Sequence, residues 1–300
     1  MSHHSGYVAL VGEPNVGKST LLNALLGQKL SIVTPKPQTT RHKIAGILTD
    51  ESSQIVFLDT PGLMKPKYAL QEVMMGFAGD AIEEADIVVV LVDAKGKDPV
   101  RSIKSLNVLE RLSKSIDAKP VFLVINKIDL TKKEDVLPVI GALAEVFPFK
   151  EIIPVSALKG ENLDDLKSTI VKYLPEGQAF YPEDYVSDRD ERFFVSELIR
   201  EEIFGVFKEE VPYSTTVEIE EFRDSDSERK TYIRAIVYVE RDSQKGILIG
   251  KGGAALKKIG QSARRQIELM IGHEVYLELF VKVREGWRDD KRELGKLGYR

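Results

Sequence analysis

Short apolar runs alternate with helix-compatible stretches along the first 175 residues. The runs YVALVG, QIVFLDT, DIVVVLVDA, PVFLVINK and EIIPVSA are rich in Val and Ile and too short for core helices, so each is predicted to be a buried strand. This alternation predicts a doubly wound α/β domain with a mainly parallel sheet covered on both faces. KIAGILTDESSQIVFLDT has the pattern of two strands joined by a polar turn, which predicts one antiparallel edge strand.

The pattern changes near residue 175. LPEGQAFYPEDYVSDRDER is acidic and contains two prolines, so residues 176–191 are predicted to link a domain at 1–175 to a second at 192–300. The second domain begins with the amphipathic RFFVSELIREEIFGVF, followed by the alternating runs STTVEIEEF and KTYIRAIVYVE around the polar turn RDSDSE. A glycine loop, a basic helix and the run HEVYLELFVKV complete an α-β-β-α-α-β order, which predicts an α+β domain.

Composition and charge narrow the class of protein. The 300 residues suffice for two domains and carry a formal net charge of −4, but residues 181–240 have a net charge of −9 and residues 241–300 one of +6. A basic end after an acidic stretch indicates a separate module with one anion-seeking face. The absence of cysteine excludes disulfides and thiolate metal sites. No apolar run nears the roughly 20 residues that span a bilayer, and the start lacks a signal-peptide pattern, so we expect a cytoplasmic protein.

The first candidate site is GEPNVGKS, which matches G-x-x-x-x-G-K-[ST] between a predicted strand and a predicted helix. Its backbone N–H groups would face a β-phosphate, assisted by the helix N-terminus. The Lys18 ammonium would reach the β- and γ-phosphates, and the Ser19 hydroxyl would bind Mg²⁺. The predicted phosphate-binding residues are Gly12, Glu13, Pro14, Asn15, Val16, Gly17, Lys18, Ser19 and Thr20.

Two further stretches extend this site towards the γ-phosphate. DTPG places Asp59 at the end of a strand, where its carboxylate can hold Mg²⁺, and places the Gly62 N–H near the γ-phosphate. PKPQTTRHKIAGI lies where a switch segment ordered by the γ-phosphate belongs. Thr40 is the better candidate for the second hydroxyl on Mg²⁺, but the spacing leaves Thr39 open as an alternative.

The stretches NKID and SAL predict recognition of guanine. The Asp129 carboxylate can accept hydrogen bonds from both N1–H and the 2-amine of guanine, whereas adenine presents an acceptor and no amine there. Asn126 and Lys127 would support the base and the loop, and Ser156 and Ala157 follow a strand, so that the Ala157 N–H can reach guanine O6. Four motifs in this order, each at a strand end, are a specific signature.

Residues 6–175 thereby resemble the translation-factor-like GTPases, a resemblance that implies Mg²⁺-dependent hydrolysis of GTP with Lys18, Thr40 and Gly62 in the catalytic machinery. The glutamine that follows D-x-x-G in Ras-like members is replaced by Leu63, which cannot orient water, so slow intrinsic hydrolysis is expected. Asn15 matches the asparagine of potassium-activated relatives, which makes K⁺ a candidate second cation. A simple turn-forming role for Asn15 is an equal alternative.

The second glycine loop, ILIGKGGAALKKIG, is not another nucleotide site because it has G-x-x-G and no Ser or Thr for Mg²⁺. A G-x-x-G turn between two helices lets a nucleic-acid backbone approach, and an adjacent apolar groove receives unpaired bases. Residues 192–283 resemble a type II KH domain, which implies binding of single-stranded RNA. The predicted RNA-binding residues are Ile249, Gly250, Lys251, Gly252, Gly253, Lys257, Lys258 and Arg264.

Both domains together resemble the bacterial Era GTPases over nearly the whole chain, on the motifs GEPNVGKST, PQTTRHKIAGI, DTPGL, NKIDL, SALKGENL and LIGKGGAALKKIG. The resemblance implies a monomer that exchanges GTP and GDP, binds near the 3′ end of 16S rRNA and acts in 30S ribosomal subunit assembly. It also implies peripheral contact with the inner face of the cell membrane, which nothing in the sequence shows.

Two other functions stay open from the sequence. One is a non-enzymatic RNA-binding module with a structural nucleotide pocket. The other is a membrane-associated signalling GTPase whose tail, KVREGWRDDKRELGKLGYR, binds anionic lipid through seven basic residues set against four acidic ones. In that tail Trp287 can stack on a base, but packing against its own domain is the stronger expectation.

Overall fold

The computed structural model describes residues 3–96, 98–105, 119–223 and 230–299. The chain divides into two compact units. The first comprises Met1–Pro66 and Met74–Asp188, and the second comprises Lys67–Val73 and Arg189–Arg300.

A six-stranded sheet forms the centre of the first unit, in the order β2-β3-β1-β4-β5-β6. Among the described strands, β2 alone is antiparallel to its neighbour, which confirms the predicted doubly wound fold and its antiparallel edge strand. The Val- and Ile-rich strands β3 and β5 are buried throughout because helices cover both faces. The described elements are β1 (His4–Gly12), α1 (Lys18–Leu26), β2 (Ile44–Thr49), β3 (Ser53–Asp59), α2 (Ala69–Glu84, which belongs to this unit from Met74 onward), β4 (Ile87–Asp93), α3 (Pro99–Ser105), β5 (Val121–Asn126), α4 (Lys133–Ala144), β6 (Glu151–Pro154) and α5 (Leu163–Tyr173).

Residues 176–188, which fall within the linker predicted from the sequence, are bound along the edge of the first unit; we call this segment the strap. The Ile47 N–H of edge strand β2 donates to the Val186 carbonyl at 3.0 Å, and the Ser187 hydroxyl donates to the Ala45 carbonyl at 2.7 Å. The side chain of Gln54, fully buried on β3, bonds the backbone of Phe180 and Tyr181. The strap therefore satisfies part of an otherwise open sheet edge.

The second unit has the predicted α-β-β-α-α-β order. Its three-stranded sheet runs β7-β8-β9, with β7 antiparallel and β9 parallel to β8. Of the predicted turn at residues 223–228, all but Arg223 lie outside the described residues. The elements are α6 (Glu191–Val206), β7 (Thr216–Arg223), β8 (Thr231–Val239), α7 (Asp242–Ile249), α8 (Ala254–Ile271), β9 (Val275–Val283) and a short α9 (Lys291–Lys296).

Candidate nucleotide and RNA sites

The loop between β1 and α1 closes around the ammonium group of Lys18. The Nζ atom donates to the Gly12 carbonyl at 3.1 Å and to the Glu13 carbonyl at 3.0 Å. The Glu13 carboxylate accepts a hydrogen bond from the Ser102 hydroxyl at 2.6 Å, so only its backbone faces the loop interior. A lysine held among backbone carbonyls at the start of a helix is ready to exchange these weak acceptors for phosphate oxygens.

Three predicted Mg²⁺ ligands converge beside this loop. The Ser19 hydroxyl lies 2.9 Å from the Thr40 hydroxyl and donates to Asp59 Oδ2 at 2.7 Å. Asp59 Oδ1 is buried and makes no well-formed hydrogen bond within the described residues, although the Ser31 hydroxyl lies near the carboxylate. Two hydroxyls and a carboxylate with an uncompensated oxygen are a donor set that fits Mg²⁺.

Thr39, the alternative to Thr40, points elsewhere. Its hydroxyl lies 2.6 Å from the Thr34 hydroxyl and donates to the Lys36 carbonyl at 2.8 Å, within its own loop. The structure therefore favours Thr40 as the hydroxyl that meets Ser19 and Asp59.

Burial sets the protonation of the two charged groups in this cluster. It lowers the pKa of Lys18 to about 8, against the opposing attraction of Asp59 and Glu13. Burial raises the pKa of Asp59, an effect opposed by the Lys18 ammonium and the Ser19 hydroxyl. Both groups are thus poorly solvated, and a phosphate near Lys18 with a cation near Asp59 would stabilise their charged forms.

The D-x-x-G loop packs directly on the phosphate loop. The Leu63 N–H donates to the Gly12 carbonyl at 2.9 Å, and a Cβ atom on Gly62 would lie 2.7 Å from the backbone of Pro14. Only glycine permits this approach, because contacts under 3.0 Å are essentially never made by a real Cβ. The half-buried Leu63 side chain packs against the hydrophobic core of the first unit.

These loops line a half-open cavity of about 420 Å³. The Asn15 side chain, on a residue with φ 66°, donates to the Pro35 carbonyl at 3.1 Å and so ties the phosphate loop to the switch segment. From the sequence, only Thr39 and Thr40 were predicted to have a role in the switch segment, and the contact at Pro35 was not anticipated. The cavity is lined by Pro14, Asn15, Gly17, Lys18, Ser19, Thr20, Ile32, Val33, Thr34, Pro35, Lys36, Gln38, Thr39, Thr40, Gly62 and Lys127.

Asn126 joins the phosphate loop to the two base-recognition motifs. Its amide donates to the Val16 carbonyl at 2.9 Å, and its Oδ1 accepts from Lys127 N–H at 2.8 Å and from Ala157 N–H at 3.0 Å. The Ala157 N–H, predicted to reach guanine O6, is thus directed at Asn126 here. The Ser156 hydroxyl donates to Asp129 Oδ1 at 2.6 Å, which fixes the carboxylate orientation.

In the second unit, Gly250 to Gly253 form the turn between α7 and α8. A Cβ on Gly250 would lie 2.8 Å from the Ala255 side chain. The backbone of Gly250 has a φ of 73° and a ψ of 174°, a conformation that is accessible essentially only to glycine. Nothing lies within 4 Å of the position that a Cβ on Gly252 or Gly253 would occupy, so the outer surface of the turn is open to a large ligand.

Basic and apolar side chains flank this turn. Lys251, Lys257 and Lys258 are exposed, and Arg264 lies 3.7 Å from the Glu268 carboxylate one turn along α8. Ile249 is half-buried against the core of the second unit. Ile247, which lies two residues before Ile249 and is 49% exposed, was not among the residues predicted to bind RNA.

The basic tail is folded against its own unit. Trp287 is fully buried, donates from Nε1 to the Ser214 carbonyl at 3.1 Å and stacks with Tyr299 at 6.1 Å between ring centroids. The packing role expected for Trp287 is therefore the one observed. Among the tail's basic side chains, Arg284 and Lys296 pair with Glu293, and Arg288 pairs with Glu240. Across the described ranges, no helix is both long and apolar enough to span a bilayer.

Comparison with known proteins gives a family model for each of the two domains. Residues 7–127 match the family model of the 50S ribosome-binding GTPases, and residues 210–288 match that of KH domains. The chain is 47% identical over 295 residues to GTPase Era of Geobacter metallireducens strain GS-15, covering 98% of this chain and 97% of that protein.

Two solved structures are similar over 99% of each chain. One is Era in complex with MgGDPNP and nucleotides 1506–1542 of 16S ribosomal RNA, with 43% sequence identity and a TM-score of 0.93. The other is a single-residue variant of Aquifex aeolicus Era bound to GDP·AlF4⁻, with 44% identity and a TM-score of 0.92.

Proposed function

The chain belongs to the Era family of GTPases, and from this premise we propose that it is a GTP-driven switch that binds the 3′ region of 16S rRNA during 30S subunit assembly. The convergence of the Ser19, Thr40 and Asp59 oxygens beside the Lys18 ammonium carries the hydrolytic part of the proposal. The open G-x-x-G turn with its exposed lysines supports the RNA part. We expect the protein to work as a cytoplasmic monomer.

Each residue of the first site has a task in hydrolysis. Lys18 neutralises charge on the β- and γ-phosphates, and the Ser19 and Thr40 hydroxyls together with the Asp59 carboxylate would hold Mg²⁺. When bound, the metal offsets the negative charge that builds up on the transferring phosphoryl group. The Gly62 N–H, brought against Pro14, donates to the γ-phosphate, and Asp129 held by Ser156 selects guanine.

The attacking water has no polar side chain at position 63 to orient it. We propose that hydrolysis is slow without help, and that a monovalent cation such as K⁺ supplies some of it through the Asn15 side-chain oxygen. The Asn15 amide already contacts the switch segment at Pro35, which supports a role for Asn15 at the junction of the two loops. Turnover in Na⁺ equal to that in K⁺ would remove the cation from this proposal.

RNA affinity measured with each nucleotide tests the switch itself. Binding of an RNA of nucleotides 1506–1542 is measured at fixed salt with GDPNP and with GDP. We expect tighter binding with GDPNP, and reciprocally a higher affinity for GDPNP when RNA is present. Equal RNA binding with both nucleotides would show that the two units act independently on this RNA. Phosphate release that survives Lys18→Ala would contradict the catalytic assignment.

The RNA site has its own matched pair of variants. Gly252→Asp and Gly252→Asn impose the same backbone cost at a φ of 60°, but only the aspartate repels a phosphate backbone. We expect the aspartate variant to weaken RNA binding much more than the asparagine variant. RNA affinity unchanged by Gly252→Asp, together with binding to vesicles containing anionic lipid, would favour the membrane-signalling alternative.

A further inference from the structure

The ammonium group of Lys127, a residue that lines the nucleotide cavity, is held by two acceptors from other parts of the first unit. Lys127 follows β5 with a φ of 67°, a backbone conformation uncommon for any residue other than glycine. Its Nζ donates to the Asn15 carbonyl and to Asp93 Oδ2, both at 2.6 Å. The positive charge is therefore already engaged before any nucleotide arrives.

Asp93 is held in place for this contact. It is the last residue of β4 and lies opposite Asn126 in the parallel register of β4 and β5, where Ala94 N–H donates to the Asn126 carbonyl at 2.8 Å. Its second oxygen, Oδ1, accepts from Lys95 N–H at 2.9 Å. With both carboxylate oxygens used, Asp93 has a defined orientation although it is about 27% exposed.

This arrangement decides which part of Lys127 meets a ligand. A lysine on the wall of a phosphate site would otherwise direct its ammonium at the phosphates. Asp93 and the Asn15 carbonyl both hold the ammonium, so the methylene stem is the part of Lys127 left to meet a ligand. A stem of this kind is apolar surface, which suits the flat face of a purine better than a phosphate.

We propose that Asp93 is a positioning residue for nucleotide binding, which holds the Lys127 stem as an apolar wall for the base without touching the nucleotide itself. The inference rests on the proposed function, because it requires a guanine nucleotide in the cavity. Asp93, at the end of β4, thereby contributes to nucleotide affinity although it lies outside the four nucleotide-binding motifs of the sequence.

A double-mutant cycle tests the inference on the full-length protein. GDP affinity with Mg²⁺ is measured for wild type, Asp93→Ala, Lys127→Ala and the double variant. We expect Asp93→Ala to weaken binding about five- to tenfold, and the double variant to bind no more weakly than Lys127→Ala alone. Asp93→Asn, which keeps a neutral hydrogen-bond acceptor for the Lys127 ammonium, should lose less GDP affinity than Asp93→Ala. Thermal unfolding confirms that each variant is folded.

Two controls separate positioning from other effects. Asp98→Asn removes a carboxylate from the same surface depression and preserves the capping bond to Arg101 N–H, so GDP affinity should not fall. A purely long-range charge effect would instead make both Asp→Asn variants bind GDP more tightly. Inosine diphosphate differs from GDP only in lacking the 2-amine at the edge of the base. Because the stem meets the face of the base, Asp93→Ala should weaken the binding of GDP and of inosine diphosphate equally.

Additive effects in the cycle, wild-type affinity of Asp93→Ala, or a changed preference between the two nucleotides would each overturn the positioning role. A wild-type protein that does not bind GDP would instead refute the proposed function.

Discussion

Gln54 is expected to hold the strap against the first unit, and its replacement tests that role directly. The side chain accepts from Phe180 N–H at 2.7 Å and Tyr181 N–H at 2.9 Å, and donates to the Tyr181 carbonyl at 2.8 Å and the Thr49 hydroxyl at 2.9 Å. All four hydrogen bonds are lost in Gln54→Ala.

The expected magnitude follows from these bonds. A typical intramolecular hydrogen bond contributes about 1 kcal/mol net to stability, and burying an unpaired polar group costs about 1–3 kcal/mol. Phe180 is 52% exposed, so water can replace part of what the freed strap groups lose. We therefore expect Gln54→Ala to lower the free energy of unfolding of the first unit by about 3 kcal/mol.

Urea unfolding followed by circular dichroism measures the stability change, and hydrogen exchange read by mass spectrometry locates it. Peptides containing residues 180–186 should lose protection in Gln54→Ala. Gln28→Ala, a change of the same type at an exposed position, serves as the matched control and should stay within about 0.5 kcal/mol of wild type. A Gln54→Ala protein as stable as the Gln28→Ala control, with a protected strap, would refute the reasoning.

Three further predictions concern Asp50 in the turn between β2 and β3, Gly62 in the D-x-x-G loop, and Thr40 as a ligand of Mg²⁺. Burial pushes the pKa of Asp50 upward, but hydrogen bonds from Ser52 N–H, Lys167 and Ser53 lower it to about 2. The contribution of Asp50 to stability should therefore be present above about pH 4 and be lost as the pH falls towards 2. Asp50→Asn should remove this pH dependence from acid unfolding curves. Gly62→Ala should lower GTP turnover about tenfold or more, because its Cβ overlaps Pro14 and overpacking costs about 1–3 kcal/mol; wild-type turnover would contradict the closed loop geometry. Thr40→Val should raise the Mg²⁺ concentration needed for half-maximal turnover, whereas Thr39→Val should change it much less, and the reverse order would exchange their assignments.

Local signals along the chain were sufficient for the fold of each unit. Buried strands such as VFLVI were identified by their continuous apolar runs. The antiparallel pair β2 and β3 was identified by the polar turn between its two apolar runs. The G-x-x-x-x-G-K-S, D-x-x-G and G-x-x-G motifs were visible for the same reason, because each is a backbone turn whose residue types are dictated locally.

Contacts between residues distant in sequence decided the rest. Thr40 and Thr39 are neighbours with the same chemistry, and only the position of Ser19 and Asp59 in space distinguishes them. The acidic, proline-containing composition of residues 176–188 indicated a linker, yet Gln54, more than 120 positions earlier, binds it as a strap.

The same limit explains Trp287 and Asp93, whose partners Ser214 and Lys127 come from other elements. The sequence by itself determined which turns and strands form, since those depend on neighbouring residues. Only the tertiary structure decided which side chains meet, because hydrogen bonds and ion pairs act over a few ångströms that chain separation does not predict.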